Sequence, residues 1–254
     1  MKTKNALIIV TAAVGLFLAA GCGSGDDAPK LVMKDNSKTL QAQLDAKSAE
    51  FMETAPPELI ETFNEGVKQV TESGVIQTAL KKGDSAPDFT LPNAEGENVR
   101  LMDLLADGPV ILTWYRGGWC PYCNIQLNEY NRRLDDFKKF GAQLVGVSPE
   151  IPDSSLSTKE KSLLHFQVLS DVGNQVARKY GIVYTLPDVV AEVFKGRLDL
   201  AAYNHDNSNE LPLAVTYVID TDRTIRYAFI NGDYKQRAEP DDIIEALKTM
   251  GNSY

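Results

Sequence analysis

Two cysteines stand three positions apart in the stretch Trp-Tyr-Arg-Gly-Gly-Trp-Cys-Pro-Tyr-Cys-Asn at 114–124. Such a pair can be a working dithiol, a metal clip or a structural staple. Pro121 has no amide hydrogen and suits the first helical position. That makes Cys120 a helix N-cap, with its sulfur near the unpaired amides of Tyr122 and Cys123. The positive helix end then favours thiolate over thiol. On this reading Cys120 is the more exposed and more acidic sulfur. Cys123, one turn in on the same face, is shielded and within disulfide reach. A permanent bridge closing so short a loop removes little unfolded-state entropy, so stability gives little reason for it. Structural zinc wants four ligands, and the chain has no second C-x-x-C and no closely spaced histidine pair. The pair reads as redox-active.

Its neighbours carry two readings each. Arg116 can lower a cysteine pKa or be a solvated loop residue. Trp119 and Tyr122 can form an apolar lip of a docking site or simply pack. Trp114 and Tyr115 end a strand and read as packing, and His165 reads as structural. His205 sits in the polar loop at 204–210; two thiolates and an imidazole would suit copper(I), a further alternative.

The elements that must position these residues are legible from the pattern. Val110–Tyr115 is an apolar, β-branched run that predicts a buried central strand. A helix is predicted from about Cys120 to Phe140, stopped at Gly141. Ala142–Ser148 and 167–169 read as strands, with helices over 155–164 and 172–180. Hairpin signals fall at 93–96 and 221–223. Residues 187–203 read as a helical insertion, and Pro240–Met250 as a closing helix. Strand–helix–strand units followed by a hairpin and a helix predict a mixed α/β sheet covered on both faces. Ahead of it, 39–82 reads as a helical arm, its clearer stripe being Leu59, Phe63, Val67 and Val70.

The third cysteine fixes an expected compartment. Lys2 and Lys4 precede an apolar run from Ala6 to Ala20, then Gly21 and Cys22. This is an export-signal pattern, too short to span a bilayer comfortably. Small residues leading into cysteine resemble the lipobox of bacterial lipoproteins, which implies a lipid on Cys22 and a membrane-anchored, extracytoplasmic protein. The expected organisation is a signal at 1–21, a flexible tether at 22–38, the arm at 39–82 and the main domain at 83–254. Past residue 21 the chain has 233 residues, in which 24 Lys and Arg face 35 Asp and Glu, a net charge of −11. An acidic chain without basic blocks argues against nucleic-acid partners.

The segment Gly83-Asp84-Ser85-Ala86-Pro87-Asp88-Phe89, the strand into the Cys-Pro-Tyr-Cys motif, and the late Tyr-Val-Ile-Asp (217–220) and Asp-Tyr-Lys-Gln-Arg-Ala-Glu-Pro (233–240) together resemble peroxiredoxin-like members of the alkyl hydroperoxide reductase/thiol-specific antioxidant family. The resemblance covers about 83–250 and implies a thioredoxin-like fold. It also implies a hydroperoxide substrate, a thioredoxin-type dithiol reductant, and no cofactor and no resident metal. The tetrapeptide itself is similar to that of glutaredoxins. In the family a Pro-x-x-x-Thr-x-x-Cys signature supplies the peroxide-attacking cysteine. Placed by the shared strand, that cysteine falls on Cys123, the threonine on Cys120 and the proline on Arg116. The family's distal arginine is expected just before Tyr217, where this chain has Leu213, Ala214 and Val215. Both helpers of the peroxide transition state are therefore read as missing, which should slow attack. Thioredoxin-fold enzymes also place a cis-proline near Ala214, and Pro212 is the nearest candidate.

The sequence thus predicts a thiol peroxidase cycling Cys120 and Cys123 between dithiol and disulfide. The alternatives are a thioredoxin-like protein disulfide reductase with Cys120 as nucleophile, and a non-catalytic copper- or partner-binding lipoprotein. Helix-end physics favours Cys120 as the attacking sulfur, and family position favours Cys123.

Overall fold

A computed structural model describes residues 39–251. The expected signal, Cys22 and the tether lie outside the described residues. The first element, α1 (Leu40–Thr54), starts where the Thr39 hydroxyl accepts the Ala42 amide at 3.2 Å. The carboxylate of Glu239 accepts two more orphan amides, from Leu40 at 3.1 Å and Gln41 at 2.7 Å. That closes the helix start against a residue 198 positions away. Pro57 opens α2 (Pro57–Glu72), and a short α3 (Val75–Thr78) completes the expected arm.

The main domain begins with a small hairpin, β1 (Thr90–Pro92) and β2 (Asn98–Arg100), turning through Asn93 and Gly96. Leu101, directly after the second strand, begins a helix, α4 (Leu101–Asp107). The Asp88 carboxylate, which accepts the Met102 amide at 3.2 Å, helps to close that first turn. Next come β3 (Val110–Trp114), α5 (Pro121–Arg132), α6 (Leu134–Lys138) and β4 (Gln143–Ser148). The single helix expected over 120–140 is two. The chain kinks at Arg133 (φ −99°, ψ 8°), whose amide reaches back to Tyr130 rather than a full turn. The kink lets Tyr130 and Phe137 meet edge to face in one core.

The chain continues through α7 (Pro152–Lys161), β5 (Gln167–Ser170), a short 3₁₀ turn and α8 (Gln175–Lys179). An unforeseen two-stranded ribbon pairs β6 (Val183–Thr185) with β7 (Glu210–Pro212). It brackets the predicted insertion, which forms α9 (Asp188–Phe194) and α10 (Leu200–Asn204). Strands β8 (Thr216–Ile219) and β9 (Ile225–Phe229) make the second hairpin, and α11 (Pro240–Gly251) closes the fold.

The central sheet runs β5-β4-β3-β8-β9. Its β5, β4 and β3 are parallel, and β8 and β9 are antiparallel to their neighbours. Every residue of β3 is buried, as a strand covered on both faces requires. Alternation splits it between two cores. Val110, Leu112 and Trp114 join a cluster with Val70, Val75 and Val190, and Ile111 joins one with Leu44, Leu127, Phe137 and Leu247. The arm contributes to both clusters, so 39–82 is part of the packed unit.

Candidate active site

The loop 115–119 leaves the end of the central strand and delivers the chain to α5. Gly117 adopts φ +146°, and a Cβ there would lie 2.2 Å from the Trp119 ring nitrogen. Gly118 is held from both sides. Its amide donates to Glu150 Oε1 at 2.9 Å, and its carbonyl accepts from Asn124 Nδ2 at 2.8 Å. This fixed loop places Cys120 at the N-cap of α5 with Pro121 following, as the spacing predicts.

Two expectations about the sulfurs are corrected here. Cys120 is not the exposed member: both thiols are free and wholly buried. Nor does its sulfur cap the helix, since no side-chain bond to the first-turn amides forms. The Cys120 sulfur instead accepts a bond from Arg116 Nη2 at 3.1 Å. Arg116 is no solvated loop residue: it is 6 % exposed, and its guanidinium lies 3.8 Å over the Tyr234 ring and 5.1 Å from that of Trp119. Stacking between rings holds a planar cation against the sulfur.

The second sulfur has its own cation. Arg237, 3 % exposed, brings Nη2 to 3.6 Å from Cys123, and the Arg116 amide approaches the same sulfur at 3.5 Å. Arg237 is oriented by Nη1 donating to Gln126 Oε1 at 2.7 Å and by Nη2 donating to the Tyr234 carbonyl at 2.6 Å. Gln126, one turn beyond Cys123, thus aims the guanidinium. The arginine is missing from the family's position, as read, yet the sulfurs do not lack a cation. The position before Tyr217 is apolar, but the segment before α11 and the loop before α5 each deliver a guanidinium. Sequence reasoning missed Arg237, Gln126 and Tyr234. The available signal was the family-like stretch at 233–240, in which Tyr234 and Arg237 both lie.

These contacts separate the two thiols electrically. Burial by itself raises the Cys120 pKa, but the bond from Cys123 and the charges of Arg116 and Arg237 outweigh it and hold Cys120 well below the ordinary thiol range. Burial and the hydrogen bond given to Cys120 push Cys123 well above it. The two thiols are thus pushed in opposite directions, Cys120 toward the thiolate and Cys123 toward the thiol.

Other predicted residues fall around this centre. Pro121 is exposed on the first turn. Tyr122 is buried, meets Tyr234 edge to face at 5.4 Å and lies 3.3 Å from the Ser48 hydroxyl, so it ties the arm to the site. Trp119 is half-buried under Phe194 of α9, with ring centroids 5.6 Å apart. Pro212 does not serve as a groove cis-proline: it pairs with Val183 in the ribbon, and no cis peptide occurs among the described residues. Val215 lies nearest the end of β3, its carbonyl accepting the Trp114 amide at 2.9 Å. His165 is exposed on the surface. His205 is exposed at the end of α10, and no cluster of three metal-ligating side chains exists among the described residues, so the copper reading lacks its third ligand.

Residues 82–228 match the AhpC/TSA family. The chain belongs to that family. It is 29 % identical over 169 residues to peroxiredoxin Bcp of Escherichia coli K12, an alignment covering 66 % of this chain and 96 % of that one. It is 30 % identical over 176 residues to the chloroplastic peroxiredoxin Q of japonica rice, covering 69 % and 70 %. The crystal structure of peroxidoxin BcpB from Mycobacterium tuberculosis superposes with a TM-score of 0.54 at 25 % identity, over 67 % of this chain and 98 % of that one. As a member of the AhpC/TSA family the protein is a peroxiredoxin-type thiol peroxidase with a thioredoxin-like fold. The disulfide-reductase and metal-binding alternatives are not favoured.

Proposed function

We propose that this AhpC/TSA protein reduces hydroperoxides by a cycle confined to Cys120 and Cys123. The observation that carries it is the pair of buried guanidiniums, one on each sulfur, at 3.1 and 3.6 Å. The Cys120 thiolate attacks the hydroperoxide. A sulfur–oxygen bond forms, the O–O bond breaks, and the alkoxide leaves and takes up a proton. Fixed cations suit that step, because negative charge moves from sulfur to the departing oxygen within a dry pocket. The Cys123 thiol then condenses with the sulfenic acid, giving a disulfide and water. An external dithiol of thioredoxin type restores the pair by exchange.

A second assignment of the first attack has its own observation. Cys123 holds the family position of the attacking cysteine, and both the Arg116 amide and Arg237 face it. Single-turnover oxidation of reduced protein by hydrogen peroxide and by an organic hydroperoxide separates the two. Rapid sulfenate formation in Cys123→Ser but not in Cys120→Ser is the expected result; the reverse pattern moves the nucleophile to Cys123. Slow peroxide reaction beside fast exchange with a mixed-disulfide probe would sink the peroxidase cycle itself.

The cycle is proposed to run at a membrane surface. What supports this is the signal-like segment ending at Gly21-Cys22, from which a lipid on Cys22 and an acidic body outside the cytoplasm are inferred. Intact-mass and membrane-fraction measurements on the wild type and Cys22→Ala test it: masses that differ only by the Cys-to-Ala substitution, with equal solubility, would refute the anchor.

A further inference from the structure

Tyr234, which stacks on Arg116, and Arg237, which faces Cys123, lie on one stretch of irregular chain. Residues 230–239, between β9 and α11, form neither helix nor strand. Such a segment holds its side chains only as firmly as its outside contacts hold the segment. One of these runs to α5, where the Tyr130 hydroxyl donates to the Ala238 carbonyl at 2.8 Å.

Others run to the arm. Both oxygens of Glu239 accept amides from the first turn of α1, Oε2 from Leu40 at 3.1 Å and Oε1 from Gln41 at 2.7 Å. Gln41 Nε2 donates to the Lys235 carbonyl at 3.4 Å. Farther along α1, the Ser48 hydroxyl lies 3.3 Å from that of Tyr122, whose ring meets Tyr234 edge to face. The arm helix thus meets the segment directly at 235 and 239, and at 234 through Tyr122. A carboxylate on the positive end of a helix is charge-assisted and stronger than a neutral contact. Glu239 lies two residues from Arg237, and with both oxygens on the arm it reaches the dithiol through the backbone.

We infer that Glu239 is a positioning residue for the dithiol: by fastening the start of α1 it fixes the segment that sets Tyr234 on Arg116 and Arg237 on Cys123. This rests on the dithiol cycle proposed above, and it makes the arm a working part of the active site. When the fastening is lost, the segment is free to shift. Arg237 then draws off Cys123, and Arg116 loses one of the two rings it stacks on. Burial raises the Cys120 pKa, and the bond from Cys123 with the two guanidiniums brings it down. Retreat of the cations therefore leaves less thiolate. Glu239 acts through the backbone and the arm, not on the reacting atoms.

The test is the thiolate titration of the reduced full chain by ultraviolet absorbance, read as the difference from the same chain carrying Cys120→Ser. It uses no peroxide, so its failure is distinct from failure of the peroxidase reading. Glu239→Ala is expected to raise the Cys120 midpoint by about 0.5 to 1 pH unit, from the net worth of a hydrogen bond. That is about three- to tenfold less thiolate relative to thiol at a given pH. Removing a negative charge would by itself lower the midpoint, so the sign separates positioning from direct electrostatics. Gln41→Pro deletes the shorter amide bond from the arm side, with no change of charge, and should raise the midpoint too. The double variant should be no worse than the more impaired single one, because both act on one contact. Glu239→Gln, which keeps one acceptor oxygen, should recover part of the shift. A midpoint that stays or falls in Glu239→Ala, or that Gln41→Pro leaves in place, would overturn the inference even where the denaturant midpoint drops. Should Glu239→Ala not fold, Gln41→Pro decides by the same sign.

Discussion

The Arg237 guanidinium lies 3.6 Å from the Cys123 sulfur, across 114 positions of sequence. Replacing it with Met removes a buried cation and leaves the Gln126 oxygen without its donor. In the proposed cycle the step most affected is condensation of Cys123 with the sulfenate, because the cation that eases loss of the Cys123 proton is gone. Disulfide closure is expected to slow by roughly tenfold to a hundredfold, from the energy of a hydrogen bond to a charged group. Sulfenate trapped by dimedone should accumulate in its place. A variant that instead loses mainly the first attack would assign that attack to Cys123.

Arg116 acts on the other sulfur at 3.1 Å. Arg116→Gln is expected to reduce the thiolate fraction at neutral pH, followed by ultraviolet thiolate absorbance. Peroxide oxidation should fall by about tenfold to a hundredfold on the same energetic grounds. Arg116→Lys should recover little, since a compact ammonium cannot stack between Tyr234 and Trp119 while reaching the sulfur.

The depressed Cys120 pKa also makes the reduced protein's stability depend on pH. A thiol more acidic in the folded state than in the unfolded one stabilises the fold fully above its unfolded pKa of about 8.5, and this is lost as pH falls through the folded value. Cys123 is shifted the other way and subtracts stability above the same range. The comparison therefore belongs below about pH 8, between wild type and Cys120→Ser. Denaturant midpoints should converge as pH falls. A constant gap would mean that Cys120 is not the anionic sulfur.

Phe194 covers Trp119, the neighbour of Cys120, with centroids 5.6 Å apart, and also meets Phe63 at 6.4 Å. Phe194→Ala opens that cover at a cost of about 1–3 kcal/mol, less than for a fully buried ring. Thiol titration with a bulky aromatic disulfide should speed up several-fold while hydrogen peroxide oxidation changes little. Unchanged titration would place the entrance elsewhere.

Gly118 allows the loop to lie on α7, where an added Cβ would sit 2.0 Å from the Thr158 hydroxyl oxygen. Gly118→Ala is expected to cost about 1–3 kcal/mol through overpacking. It should also raise the Cys120 pKa by drawing Arg116 off the sulfur. Thr158→Ala in the same chain should restore both; a double variant as impaired as the single would show that crowding is not the cause.

The sequence by itself determined the local half of this protein. Apolar periodicity from Val110 to Ser148 specified the central strands, because a strand buried on both faces must be apolar throughout. Pro121 and the Cys-x-x-Cys spacing specified a dithiol at a helix start, since both rules act within one turn. The α4 helix and the β6–β7 ribbon were not legible, because three- to seven-residue elements carry too few periods and the ribbon pairs residues more than twenty positions apart. The electrostatics of the site were decided by tertiary structure alone. Whether Arg116 is solvated or stacked depends on Tyr234, which only the β8–β9 hairpin brings near. Arg237 reaches Cys123 because the segment between β9 and α11 returns to α5, where Gln126 accepts from it, and Glu150 is dry because Thr158 of α7 lies against it at the end of β4. A charge's effect depends on what lies within a few ångströms and on how much water is left there, and neither quantity is written along the chain.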